Sequence, residues 1–267
     1  MKNKYLIFSD LDGTLLNHDD YSFAPAKEAL KFLKSNSISL ILATSKTFHE
    51  VIELHKELEI RAPFIVENGA GIFIPSECVL AKSLPFAKDW IKVSHAKTYI
   101  ELRLFFRDMK RHYPMKGFGD MTLEEVMELT GLSEKNAKNS MKRDFSEPFI
   151  LSDLSCVNEL KAKANAEGLD IVQGGRFFHL ISLYQDKASA MLNLAHMYDE
   201  YHNVKHTKIA LGDSANDYTM LQEADIGVLV PLHDGSFSPL DDKRVLKAKY
   251  PGPMGWNSSI KEIFHVT

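Results

Sequence analysis

The chain has 267 residues, 45% of them hydrophobic and 25% charged, with a formal net charge of −4. That length can bury one large core or two moderate ones, and the slight acidity leaves no electrostatic footprint for a nucleic acid. No apolar stretch approaches the ~20 residues of a membrane-spanning helix, so neither a nucleic acid nor a membrane is expected as a partner.

At the amino terminus, Met1-Lys2-Asn3-Lys4 leads at once into the apolar run Tyr5-Leu6-Ile7-Phe8. A secretory signal would need a longer apolar region and a small-residue cleavage site, so a cytoplasmic protein is expected. Cys78 and Cys156 are far apart, fit no metal or redox spacing, and are expected as reduced thiols. The apolar run predicts a buried strand over residues 5–9. It delivers Asp10-Leu11-Asp12-Gly13-Thr14 to the strand's carboxyl end, where open α/β sheets bind their ligands. Two carboxylates there suit phosphoryl transfer, with Asp10 as nucleophile toward phosphorus and Asp12 as the acid/base beside it. Solvated acids at a tight turn, or the metal-binding Asp-x-Asp of sugar-nucleotide glycosyltransferases, fit the same five residues.

A helix over 25–35 and a strand over 38–43 come next, followed by Thr44-Ser45-Lys46-Thr47 and a helix over 47–59. Hydroxyls, backbone N–H groups and a helix N-terminus can all donate to a phosphate. Thr44 is the expected phosphate contact, while Ser45 or Thr47 also fits the helix N-cap. A strand over 63–67 runs into Glu67-Asn68-Gly69. Asn68-Gly69 reads as a hairpin turn into Gly71–Pro75, with Glu67 or Asn68 also placed to meet sugar hydroxyls.

The pattern then changes. Helices are predicted over 95–113, 122–130, 133–142 and 153–167, and strands over 147–151, 169–173 and 176–183. Thr122 with Glu125 forms a capping-box signature, and Gly174-Gly175 reads as a hairpin turn. In the strand after it His179 shares a face with Phe177 and Ile181 and is expected as a packed, satisfied histidine. From 186 to 200 a helix returns, opened by Lys187 and carrying Met191, Leu192, Leu194 and Ala195. A strand over 208–212 ends in Gly212-Asp213-Ser214-Ala215-Asn216-Asp217, and another covers 226–230. Mg²⁺ takes hard oxygen ligands and keeps several waters, so Asp10, Asp213 and the Asp12 carbonyl are a suitable partial ligand set. Asp217 fits either a metal role or a helix-start acid. Alternating strands and helices in residues 1–84 and 187–267 predict an α/β fold, a doubly wound parallel sheet. Residues 85–186 are expected as an inserted α+β cap domain over the site.

The three strand ends, their order and their spacing resemble the haloacid dehalogenase superfamily of Mg²⁺-dependent phosphatases. The matching pieces are Asp10-Leu11-Asp12-Gly13-Thr14, Thr44, Lys187 and Gly212-Asp213-Ser214-Ala215-Asn216-Asp217. The resemblance implies a Rossmann-like core, phosphorylation of Asp10, acid/base work by Asp12 and neutralisation of the phosphoryl group by Lys187. It also implies Asp213 as a side-chain metal ligand with Asn216 and Asp217 as ligands or in support. Ser45, Lys46 and Ser214 fall beside the phosphate in this carry-over. The match departs from relatives at Ala215, where they often carry Pro, and at Asp186-Lys187-Ala188, where a Gly often flanks the lysine.

Further pieces look like mannosyl-3-phosphoglycerate phosphatases: Thr44-Ser45-Lys46-Thr47, Val66-Glu67-Asn68-Gly69-Ala70, Ser146-Glu147-Pro148-Phe149, Gly174-Gly175-Arg176-Phe177-Phe178-His179 and Gly252-Pro253-Met254-Gly255-Trp256. That likeness implies hydrolysis of mannosyl-3-phosphoglycerate, with the glucosyl compound as a close alternative. A phosphorylated glycosyl glycerate also carries a carboxylate, and the planar guanidinium of Arg176 is the candidate to grip it through two parallel bonds. A sugar phosphomutase and a non-catalytic phosphometabolite-binding protein are the alternatives to a phosphatase. The presence of Asp10, Asp12, Lys187 and Asp213 together argues against the binder, which needs no nucleophile. Oligomeric state is not legible in the sequence.

Overall fold

The apolar runs before Asp10 and Asp213 are neighbouring strands of one sheet. The computed structural model describes residues 4–85, 87–174 and 177–266. Its elements begin with β1 (Tyr5–Ser9), α1 (Lys27–Ser35), β2 (Ser39–Leu42), α2 (Phe48–Glu57), β3 (Phe64–Val66), β4 (Gly71–Pro75) and β5 (Trp90–Val93). Then come α3 (Tyr99–Met109), β6 (Met115–Gly117), α4 (Leu123–Thr130), α5 (Glu134–Ser140), β7 (Glu147–Leu151), α6 (Val157–Ala166), β8 (Leu169–Gly174) and β9 (Phe177–Ser182). The last are α7 (Lys187–His202), β10 (Thr207–Gly212), α8 (Tyr218–Glu223), β11 (Ile226–Leu229), β12 (Leu246–Lys247) and α9 (Gly252–Ile263).

The chain forms two compact units. One comprises Met1–Ser45, Ile60–Val93 and Asp186–Thr267; the other comprises Lys46–Glu59 and Ser94–Gln185. These limits differ from 1–84, 85–186 and 187–267 at Lys46–Glu59, at 85–93 and at Asp186, which goes with the α7 that it caps. Helix α2 sits with α5, where Lys135 pairs with Glu53 at 2.7 Å and the Thr47 hydroxyl donates to the Asn139 carbonyl at 3.0 Å. Residues up to Val93 stay with the first unit because β5 pairs along β4.

The first unit holds a five-stranded parallel sheet in the order β12-β11-β10-β1-β2. From β1 the chain moves to β2 on one side, while β10, β11 and β12 fill the other. The switch point therefore lies between β1 and β10, the place where such sheets bind ligands. Strand alternation sorts the faces. Leu6 and Phe8 pack in one cluster with Ala188, Met191 and Leu194 of α7. Ser9, on the other face, accepts a hydrogen bond from the indole N–H of Trp256 in α9 at 3.0 Å. Met191 and Leu194 are wholly buried, which stabilises by about 1.5–3 kcal/mol apiece. Leu192 lies on the exposed side of α7.

The apolar run at 63–67 does not extend the parallel sheet. β3 pairs antiparallel with β4, and β4 with β5, in a separate three-stranded sheet. An isolated bridge between Ala43 and Ile65 links β3 to the end of β2. A short apolar run fixes strand character but not its partner; here the turn at 67–70 folds β4 back, pairing Val66 with Gly71.

The second unit carries a four-stranded antiparallel sheet, β6-β7-β9-β8, packed through Phe106, Phe149, Leu160 and Leu180. The capping box that starts α4 forms as expected: Glu125 N–H donates to the Thr122 hydroxyl and Thr122 N–H to the Glu125 carboxylate. Gly174 pairs with Phe177 across the β8–β9 hairpin; Gly175 and Arg176 lie outside the described residues. His179 departs from expectation. Its Nδ1 is buried with no hydrogen-bond partner among the described residues. Burial first, and Arg143 second, push its pKa down to about 3. No helix among the described residues is long and apolar enough to cross a membrane.

Candidate active site

β1 and β10 run in register, Ser9 beside Leu211, so Asp10 and Asp213 leave the sheet side by side. Carboxylate oxygens of Asp10, Asp213 and Asp217 all lie within 4.8 Å of one another, and all three residues are buried. The first turn of α7 brings in Lys187, whose ammonium donates to Asp10 Oδ1 and to Asp217 Oδ1, both at 2.6 Å. Asp186 caps that helix by accepting from Ser189 N–H at 2.6 Å. Lys187 is wholly buried, an environment that disfavours an ammonium unless carboxylates hold it.

Asp217 is fully engaged. Its Oδ1 holds Lys187, and its Oδ2 accepts the backbone N–H groups of Asp213 and Ser214, each at 3.1 Å. It therefore shapes the 213–217 loop and fixes the lysine. Asp213 accepts from the Thr14 hydroxyl at 3.3 Å. Gly13 has φ +79°, and a Cβ there would come within 2.7 Å of the Asp213 carboxylate, so this turn needs glycine on both counts.

Charge in the cluster is unbalanced: three carboxylates face one ammonium. Burial is the largest influence on Asp10 and pushes its carboxyl well above the usual range; Lys187 pulls it down, and the Asp217 and Asp213 carboxylates push it further up. Burial, then the Asp217 carboxylate, raise Asp213 to about 7 against the pull of Lys187. Burial alone would lower Lys187, but Asp10 and Asp217 outweigh it and the ammonium is held more firmly than an ordinary lysine. An all-oxygen, electron-rich cluster short of positive charge is chemically suited to a hard divalent cation. Asp10, Asp213 and Asp217 each offer it a carboxylate oxygen, those of Asp217 also hydrogen-bonded to Lys187 and to the loop.

Thr44 is buried at the end of β2, its N–H on the Ile65 carbonyl and its own carbonyl accepting from Asn68 N–H at 2.9 Å. Thr47, not Ser45, caps α2, in a reciprocal box with Glu50. Ser45 belongs to the first unit and Lys46 to the second. Glu67 and Asn68 are buried and both have left-handed backbone, φ 49° and 57°, a conformation that costs non-glycine residues about 1–3 kcal/mol each. Gly69 follows at φ +95°, and a Cβ on it would stand 1.9 Å from the Asp186 carbonyl oxygen. Gly69→Ala is therefore expected to destabilise by about 3 kcal/mol or more, from strain and overpacking together. A thermal melt unchanged from wild type would show that the Glu67–Ala70 turn can move away from α7. Asn216 donates to Asn68 Oδ1 at 3.1 Å and accepts from the Ser214 hydroxyl at 2.8 Å.

Sequence reasoning missed two supports. Thr14 lay inside the first motif without a role. Trp256 lay in Gly252-Pro253-Met254-Gly255-Trp256, and its indole holds Ser9 Oγ, which donates to the Asp10 carbonyl at 2.7 Å. The sequence signal was a lone large aromatic near a helix start; its partner is 247 positions away.

A family model described as haloacid dehalogenase-like hydrolase matches residues 7–231. The glucosyl-3-phosphoglycerate/mannosyl-3-phosphoglycerate phosphatase of Persephonella marina is 41% identical over 264 residues, covering 97% of both chains. The protein of the same description from Methanococcoides burtonii is 36% identical over 266 residues, again covering 97% of both. Among solved structures, Thermoplasma acidophilum 0175 superimposes with a TM-score of 0.69 at 19% identity, over 99% of this chain and 100% of that one. That last likeness is one of fold.

Proposed function

The chain belongs to the haloacid dehalogenase-like hydrolases, and we propose that it is a Mg²⁺-dependent phosphatase that hydrolyses mannosyl-3-phosphoglycerate, or its glucosyl counterpart, to the glycosylglycerate and phosphate. The observation that carries the reading is the buried Asp10 carboxylate held at 2.6 Å by Lys187 at the β1–β10 switch point. The two phosphatases that match along nearly the whole chain support the substrate class.

In the proposed reaction Asp10 attacks phosphorus, an aspartyl phosphate forms and the bond from phosphorus to the glycerate oxygen breaks. Asp12 gives its proton to that leaving oxygen. Asp12 then takes a proton from water, whose oxygen attacks the aspartyl phosphate; phosphate leaves and Asp10 returns to a carboxylate. Such transition states spread negative charge over the phosphoryl oxygens, so catalysis is mostly positioning and charge stabilisation. Mg²⁺ held by Asp10, Asp213 and the Asp12 carbonyl would supply the positive charge that the cluster lacks. Lys187 pulls Asp10 toward its ionised form against burial and meets the phosphoryl charge, with Thr44 donating beside it. Asp217 keeps Lys187 and the 213–217 loop in place. Substrate selection is assigned to the second unit, with Arg176 for the glycerate carboxylate.

The test is a phosphate-release assay with Mg²⁺ across glycosyl-3-phosphoglycerates, hexose phosphates and an aryl phosphate. Glycosyl-3-phosphoglycerates are expected to give the highest kcat/KM. A preference for simple hexose phosphates would overturn the substrate assignment, and phosphoryl return to substrate without release would favour a mutase. In the same assay Arg176→Ala is expected to lose about 10- to 100-fold in kcat/KM on the glycosyl glycerate, the size of a lost charge-assisted contact of roughly 1.5–3 kcal/mol. Aryl phosphate hydrolysis should barely change. An equal loss on both substrates would move Arg176 to the phosphate site or to the fold.

A further inference from the structure

Asn68 was expected as a turn residue with a side role in meeting sugar hydroxyls, and it does lie in the turn that folds β4 back on β3. Its contacts give it a further task. It sits in a run of three consecutive left-handed residues, Glu67, Asn68 and Gly69, at φ 49°, 57° and 95°. The backbone of that turn is fixed at two places in the cluster's surroundings. Asn68 N–H donates to the Thr44 carbonyl at 2.9 Å. The Gly69 Cα lies so close to Asp186, the residue before Lys187, that no Cβ fits. The Asn68 side chain then reaches a third place, accepting from Asn216 Nδ2 at 3.1 Å. Asn216 is exposed, and its Oδ1 accepts from the nearby Ser214 hydroxyl at 2.8 Å. The loop it belongs to carries Asp213 and Asp217.

A strained turn persists only where its surroundings over-determine it. Here the surroundings are three segments: Thr44 after β2, Asp186 next to Lys187, and the 213–217 loop. We propose that Asn68 is a positioning residue for the cation site, acting through Asn216 to hold the 213–217 loop in register with Thr44 and Lys187. This inference rests on the metal-dependent phosphatase reading. It assigns Asn68 to cation affinity and removes it from sugar recognition.

Asn68→Gly isolates the side chain, because glycine adopts the left-handed backbone at no steric cost. Asn216→Ala removes the other partner, and the double variant closes a cycle. The primary readout is Mg²⁺ or Mn²⁺ binding to full-length protein by calorimetry, which needs no turnover. Outer-shell partners of metal ligands typically contribute 10- to 100-fold in affinity, so Asn68→Gly is expected to raise the cation Kd by about 10-fold. Asn216→Ala should do the same, and the double variant should lose no more than either single change, the sign of one shared interaction. Asn68→Asp keeps an acceptor for Asn216 and the tolerance of left-handed backbone, and should retain the linkage between positions 68 and 216. At saturating Mg²⁺ the KM for the glycosyl substrate should stay at the wild-type value. An unchanged cation Kd in Asn68→Gly, or additive losses in the double variant, would overturn the proposal. So would an effect confined to the KM of the sugar substrate. If the protein binds the cation in this pattern yet releases no phosphate, the phosphatase reading fails while the positioning role stands.

Discussion

Asp10→Asn is expected to lower kcat by on the order of 10⁴- to 10⁶-fold, the range seen when an essential nucleophile is removed from a hydrolase. An amide cannot form the aspartyl phosphate and carries no charge to pair with Lys187. The fold should survive, because Lys187 keeps its second partner, Asp217, at 2.6 Å. The substitution also removes one of three buried carboxylates that crowd within 4.8 Å, so repulsion falls and the melting temperature should hold or rise. The measurement pairs single-turnover phosphate release at saturating Mg²⁺ with a thermal melt. Near-normal release from a folded, cation-loaded variant would sink the nucleophile assignment. A large drop in melting temperature would show instead that the Asp10–Lys187 pair is needed for the fold.

Much of this site is legible in the sequence because each part follows an apolar run that ends in small or acidic residues. Leu6–Phe8 before Asp10, Leu40–Ala43 before Thr44 and Ile209–Leu211 before Asp213 are all buried in the structure. The partners of those strands are less legible. β3 reads like its neighbours, yet a four-residue turn sends it into antiparallel pairing with β4. Helix α2 reads as the next crossover, yet its contacts lie with α5. Asp217 reads as a ligand or a helix-start acid; only the structure shows that its oxygens also hold Lys187 and the loop. Trp256 and Asn68 act on groups 247 and 148 positions away. No local periodicity encodes such a contact, since side-chain pairing across a fold depends on topology rather than spacing.

Removing the positive member of the cluster should show how finely the charges are balanced. Lys187→Met fills similar space without the ammonium, leaving Asp10 and Asp217 buried and facing each other across the gap. Removing one partner of a buried ion pair costs about 3–5 kcal/mol, because the other charge stays uncompensated. For a chain of this size that is a fall of roughly 6–20 °C in Tm, at about 2–4 °C per kcal/mol. Activity should fall by at least about 10²- to 10³-fold, as when one preorganised donor to a developing oxyanion is lost. The double variant Lys187→Met, Asp217→Asn separates the two effects. It takes away one stranded carboxylate, so part of the Tm should return, while kcat should stay low because no ammonium faces the phosphoryl group. The amide also keeps an oxygen for the N–H groups of Asp213 and Ser214, so the loop should persist. A Lys187→Met protein that melts like wild type in the absence of divalent cation would show that the two carboxylates are relieved some other way, by protonation or by water. The electrostatic account of this cluster would then fail, even if activity were lost.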